Sequence, residues 1–231
     1  GVGVNIFTWI VANGSCAAGG GSDDVAVSVY DADAPAANAG PNNAVCGTSS
    51  TVGLNANQPT GPATGFWSVI SGQATLSDAA DPQAIASGLA VGETVLEWTI
   101  DNGPCGTSSD QVTIQVFDAD QPVADAGTDQ SLCLPVNTAT MSGSAYSFPA
   151  TGTWTLVSGS GTITDPASAV TSITDLGIGE NVFQWTVDNG PCTGVSNDQV
   201  SIVIYDDAAA AADAGSDQEL CTPTTTAQLA A

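Results

Sequence analysis

Three observations predict an all-β chain built as a tandem array of small two-layer sandwiches. Four kinds of marker recur at one period of about 88 residues, which is the length of one such sandwich. Short segments alternate apolar and polar residues, the signature of strands with one buried face. No segment carries a 3.6-residue apolar period, and Gly, Pro, Asn and Asp punctuate the chain at short intervals.

The markers are independent of one another. Trp9, Trp98 and Trp185 each stand seven residues before a cysteine, at Cys16, Cys105 and Cys192. Cys46, Cys133 and Cys221 form a second series, each shortly after Asn-Ala-Gly or Asp-Ala-Gly. Tyr30, Phe117 and Tyr205 form a third, and Trp67 and Trp154 a fourth. Linker-like stretches at 31–40, 118–127 and 206–215 mark the unit boundaries. The expected division is 1–32 as the C-terminal part of a preceding repeat, 33–119 and 120–206 as repeats, and 207–231 as the N-terminal part of a following one. On this reading the full protein has at least four units.

Within a repeat the elements follow in order. Residues 50–56, 65–71 and 74–77 supply short strands between turn residues. Residues 95–100 place Leu96, Trp98 and Ile100 on one face. After an Asp-Asn-Gly turn, 111–117 place Val112, Ile114 and Val116 on one face and Gln111, Thr113 and Gln115 on the other. The next copy repeats this with Phe183, Trp185 and Val187, then Val200, Ile202 and Ile204. Asn-Gly is favoured where a turn needs positive φ. About seven short strands per repeat fit an immunoglobulin-like sandwich.

Composition narrows function. The 231 residues include no Lys, Arg or His, and 24 Asp plus Glu give a formal charge of −24. A hydrophobic fraction of 42% is enough for a core, so disorder is not expected. Without His there is no Ser-His-Asp or Cys-His catalytic set, and without Lys there is no P-loop. A polyanionic surface repels nucleic acid and anionic membranes, and no apolar run is long enough for a transmembrane helix.

The pattern A(N/D)AG-x-(N/D)-x3-C, then Trp, G-x-G-E, W-T-(I/V)-D-N-G-P-C and S-x-D-Q-V-x-I resembles the PKD/Ig-like repeats of giant secreted adhesins of Bacteroidota, gliding-motility adhesins among them. The residues carrying it are Asp125, Gly127, Cys133, Trp154, Gly179, Glu180, Trp185, Asn189, Cys192, Asp198 and Val200, with counterparts one period earlier. The resemblance covers the whole chain. It implies a long extracellular stalk, exported by the type IX route of a Gram-negative bacterium and held at the outer membrane. The absence of basic residues departs from the family.

Six cysteines in an acidic repeat chain suggest an oxidising location. The favoured pairing is within a repeat, Cys46–Cys105 and Cys133–Cys192, each closing a loop worth roughly 4 kcal/mol in the chain-entropy model. A rival pairing follows from sandwich geometry. Cys46 sits near the first turn of its repeat and Cys105 in the last loop, at opposite ends of strands ~17–20 Å long. Bonded cysteines need Cα atoms within about 7 Å. In a head-to-tail array Cys46 instead meets Cys192 of the next repeat and staples the junction.

The junctions gather acidic and amide side chains: Asp31, Asp33, Asn38 and Asn42, then Asp118, Asp120, Asp125 and Asp129, then Asp206, Asp207, Asp213 and Asp217. One reading is a Ca²⁺ that stiffens each junction. The other is a solvated acidic linker, favoured because no D-x-D-x-D-G loop occurs. Asp110 and Asp198 are expected to cap a turn. Trp67, Trp98, Trp154 and Trp185 alternate with core residues, which favours packing over sugar stacking. No catalytic residues are expected. The functional expectation is a stalk or filament module whose partners are its neighbouring repeats and, in a filament, other copies of itself. A repeat that binds carbohydrate or ice is the alternative of a different class.

Overall fold

A computed structural model describes every residue except 13, 16–19, 207, 209–212, 224–225 and 228–231. Cys16 and Asp207 therefore lie outside the described residues. The chain is all-β, and the only helical element among the described residues is a single 3-10 turn at Gly103–Cys105. It opens with an antiparallel hairpin of β1 (Gly3–Val11) and β2 (Gly21–Val29).

Two immunoglobulin-like sandwiches follow. The first contains β3 (Asn43–Cys46), β4 (Val52–Gly53), β5 (Thr64–Ser71), β6 (Thr75–Leu76), β7 (Ile85–Ser87), β8 (Gly92–Asp101) and β9 (Thr107–Phe117). Its sheets are β3-β9-β8-β5 and β4-β7-β6. The second contains β10 (Gln130–Cys133), β11 (Ala139–Ser142), β12 (Thr151–Ser158), β13 (Thr162–Ile163), β14 (Val170–Thr174), β15 (Gly179–Asp188) and β16 (Val195–Tyr205). Its sheets, β10-β16-β15-β12 and β11-β14-β13, repeat the first topology strand for strand.

The alternating segments bury the faces that the sequence assigns. Leu96, Trp98 and Ile100 on β8 meet Val112, Ile114 and Val116 on β9 in one core, with Val52, Leu54 and Ala86 from the facing layer. Phe183, Trp185 and Val187 do the same with Val200, Ile202 and Ile204, facing Met141 and Ile173. Trp67 lies directly across the ladder from Trp98, with ring centroids 5.2 Å apart. Trp154 and Trp185 repeat the pair at 5.0 Å. All four indoles are buried, so they form the cores and offer no sugar platform.

The hairpin keeps the same register. Trp9 pairs with Asp23 as Trp98 pairs with Asp110 and Trp185 with Asp198. Its side chains Phe7, Trp9, Val25 and Val27, whose counterparts are buried in the two sandwiches, are exposed here.

The first strand of each sandwich decides where its cysteine lies. β3 runs parallel to β9 and places Cys46 opposite Phe117, the last residue of β9. β10 places Cys133 opposite Tyr205 in the same way. The segment leading into each is held by side chains of the final strand. Ala37 N–H donates to Ser108 Oγ at 2.9 Å and Ala39 N–H to Asp110 Oδ2 at 2.8 Å. Ala124 N–H donates to Ser196 Oγ at 2.9 Å and Ala126 N–H to Asp198 Oδ2 at 2.8 Å. Thus Ser-x-Asp at the start of the last strand is a clamp on the entering chain. Asp110 and Asp198 bind backbone amides on a segment 71 and 72 residues away rather than capping a local turn. Asp198→Ala leaves the buried Ala126 N–H without its carboxylate. We expect it to destabilise the second sandwich by roughly 1.5–3 kcal/mol in urea unfolding.

Candidate functional site: the joint between repeats

The residues that couple one sandwich to the next come from three places: the end of a final strand, the end of the first strand beside it, and the loop tip of the following unit. The tip between β15 and β16 is Asn189-Gly190-Pro191-Cys192. It closes on itself through Asn189 N–H to the Gly194 carbonyl at 2.9 Å, and Gly190 takes φ 48°. Glycine is needed there twice over. That φ is unfavourable for other residues, and a Cβ built on Gly190 would lie 2.7 Å from ring atoms of Phe117. The Phe117 ring, at the end of β9, lies against the backbone of the next unit's tip.

Two further contacts fasten this joint. Asn189 is buried, and its Nδ2 donates to the Asp118 carbonyl at 2.9 Å. Cys192 is disulfide-bonded to Cys46, with Cα atoms 4.9 Å apart and a sequence separation of 146 residues. Cys192 Sγ also lies 3.6 Å from the Phe117 carbonyl oxygen.

The same contacts, without the disulfide, join the hairpin to the first sandwich. A Cβ on Gly103 would fall 2.5 Å from the Tyr30 ring, and Asn102 Nδ2 donates to the Asp31 carbonyl at 2.7 Å. Two joints built from the same residue types one period apart make the contact a property of the repeat. The tip loop was legible in the sequence only as a turn, and the aromatic series Tyr30, Phe117 and Tyr205 only as a marker. Their shared period was the signal that could have paired them.

The cysteine pairing favoured from the sequence is not the one the structure holds. Cys46 is bonded to Cys192, and Cys105 and Cys133 are free and exposed. The reason is the parallel course of β3. It carries Cys46 to the Phe117 end of β9, whereas Cys105 precedes the Thr107 end, a strand length of about 30 Å away. Cys133 is separated from Cys192 along β16 in the same way.

Most of the junction's acidic and amide side chains are used locally. Asp31, Asp118 and Asp206 each accept, through Oδ1, the N–H two residues on, from Asp33, Asp120 and Ala208 respectively. Asn38, Asp125 and Asp213 accept likewise from Gly40, Gly127 and Gly215. These are turns that shape the linker. Asn42 Oδ1 accepts from Thr113 N–H and Asp129 Oδ1 from Ser201 N–H, both fixing the entry to the first strand. Among the described residues no three His, Cys, Asp or Glu side chains gather as a metal site would require.

The family described as "K319L-like, PKD domain" matches residues 126–204, most of the second sandwich. Among solved structures, the chain is similar to the PKD domain from the KIAA 1837 protein at 27% identity, over 39% of this chain and 92% of that one, with a TM-score of 0.33. It is also similar to the PKD domain of human KIAA0319 at 18% identity, over 39% and 86%, with a TM-score of 0.33. A three-domain titin segment, I67–I69, aligns at 15% identity over 89% and 75%, with a TM-score of 0.39. No curated protein matches the chain. The family match supports a PKD/Ig-like repeat, as the motif pattern predicts.

Proposed function

We propose that the chain is a structural module of a large extracellular repeat protein, a stalk or filament segment that holds a binding region away from a bacterial surface. The observation supporting this most directly is the joint. Phe117, Asp118 and Cys46 of one sandwich meet Asn189, Gly190 and Cys192 of the next, so consecutive units are coupled end to end. A disulfide is at home in an oxidising compartment, which agrees with secretion. The type IX route and the Bacteroidota origin rest on the motif resemblance. The formal charge of −24 keeps such a fibre soluble and discourages edge-to-edge pairing. On this reading the chain has no catalytic role, and its partners are repeats of its own kind.

A filament assembled from separate copies is the second reading. Cys133 has the register to Tyr205 that Cys46 has to Phe117, so the same contacts would let the loop tip of a separate copy dock there. Small-angle scattering of the oxidised chain tests the stalk. The expected result is an elongated particle with the two sandwiches in line. A particle whose maximum dimension is that of sandwiches folded side by side would overturn it. Multimers that persist on non-reducing gels and vanish on reduction would favour the second reading.

A further inference from the structure

We infer that the joint disulfide is an extension limiter: it removes most of the chain from the path of tension and returns it only when a thiol reductant opens the bond. This deepens the stalk reading and rests on it for its biological use. The argument starts from where the bond is placed. A disulfide within a sandwich would bridge one unit and leave the linker outside the loop. Cys46–Cys192 closes a loop of 146 residues, which takes in all of the first sandwich after β3, the linker and the second sandwich up to its last loop.

Load applied at the chain ends runs through residues 1–46, crosses the sulfur–sulfur bond and leaves through 192–231. At 3.3–3.6 Å per extended residue the whole chain spans about 80 nm, and the segments outside the loop span about 30 nm. Unfolding of the sandwiches therefore cannot lengthen the chain by the remaining about 50 nm while the bond stands. β3 and β16 remain in the load path, so the bond limits length rather than shielding every strand.

The arrangement can be iterated. Cys133 has the same parallel register to Tyr205 that Cys46 has to Phe117. The same joint made by Cys133 with a further repeat would close a second loop, overlapping the first over 133–192. Successive loops would then leave no sandwich free to lengthen the fibre. Release needs two electrons and two protons. Two thiols supply them, leaving as their own disulfide, and Cys46 and Cys192 become free thiols. Both cysteines are only half-buried, so a small thiol can reach them.

The test is single-molecule pulling of the full chain through its termini. Cys16→Ser, Cys105→Ser, Cys133→Ser and Cys221→Ser are combined so that only one bond can form. Total contour length is read with and without dithiothreitol. The expected result is about 30 nm before reduction and about 80 nm after it. Cys46→Ser on the same background should give about 80 nm in both conditions. A release near 80 nm from the oxidised four-serine chain would overturn the inference, as would a length that reductant leaves unchanged. The readout is contour length, so it holds even if a variant is poorly folded. Sandwiches found side by side by scattering would sink the stalk and leave these lengths as they are.

Discussion

Cys46→Ser is expected to lower the summed unfolding free energy of the oxidised chain by about 5 kcal/mol, while Cys105→Ser leaves it unchanged. The first figure follows from the length of the closed loop. Cross-linking residues 146 apart removes conformational freedom from the unfolded chain, and the loss grows with the logarithm of loop length. Cys105 is free and exposed, so its thiol contributes no such closure. The two variants separate the observed pairing from pairing within a repeat. Under the latter, Cys105→Ser would cost roughly 4 kcal/mol, the value for a 59-residue loop. Because the bond spans two sandwiches, either one unfolding alone feels only part of the closure. The sum over both transitions, read by urea unfolding without reductant, is the quantity to compare. A large loss on Cys105→Ser would show that the joint is not stapled as described.

The fold was largely legible because its signals are local. Strict alternation in 95–100 and 111–117 needs only the pleat of a strand to predict which side chains enter the core, and Leu96, Trp98, Val112 and Ile114 do so. The period of the markers predicted two like units, and the two sandwiches share one topology. The joint was less legible because its contacts are not local. Asn189 meets the Asp118 carbonyl 71 residues away, and nothing near Asn189 announces it. The cysteine pairing turned on one fact that composition does not carry: whether the first strand pairs parallel with the last. Once β3 is seen to run alongside β9, Cys46 can only face the next unit. The acidic clusters left two readings open because a carboxylate that shapes an Asp turn and one that binds a cation look alike in sequence. Asp125 accepting from Gly127 N–H shows the former use.

The paired tryptophans carry the second large prediction, and they separate two contributions that usually travel together. Trp98→Ala and Trp185→Ala each remove a fully buried indole from the centre of a core, which typically costs 3–5 kcal/mol on the order of other large-to-small changes. Either loss is a large share of what a domain of this size has to spare. Replacement by phenylalanine should divide the two sites. Trp185 Nε1 donates to the half-buried Ser144 carbonyl at 3.2 Å, so Trp185→Phe forfeits that hydrogen bond. Trp98 Nε1 is buried with no partner, so Trp98→Phe also removes an uncompensated donor, which offsets part of the lost packing. The expected outcome is that Trp185→Phe destabilises its sandwich more than Trp98→Phe does, by roughly 1–2 kcal/mol. Urea unfolding followed by near-ultraviolet circular dichroism reads both. Equal losses would mean that the hydrogen bond to Ser144 contributes nothing and that the tryptophan pairs act through packing alone.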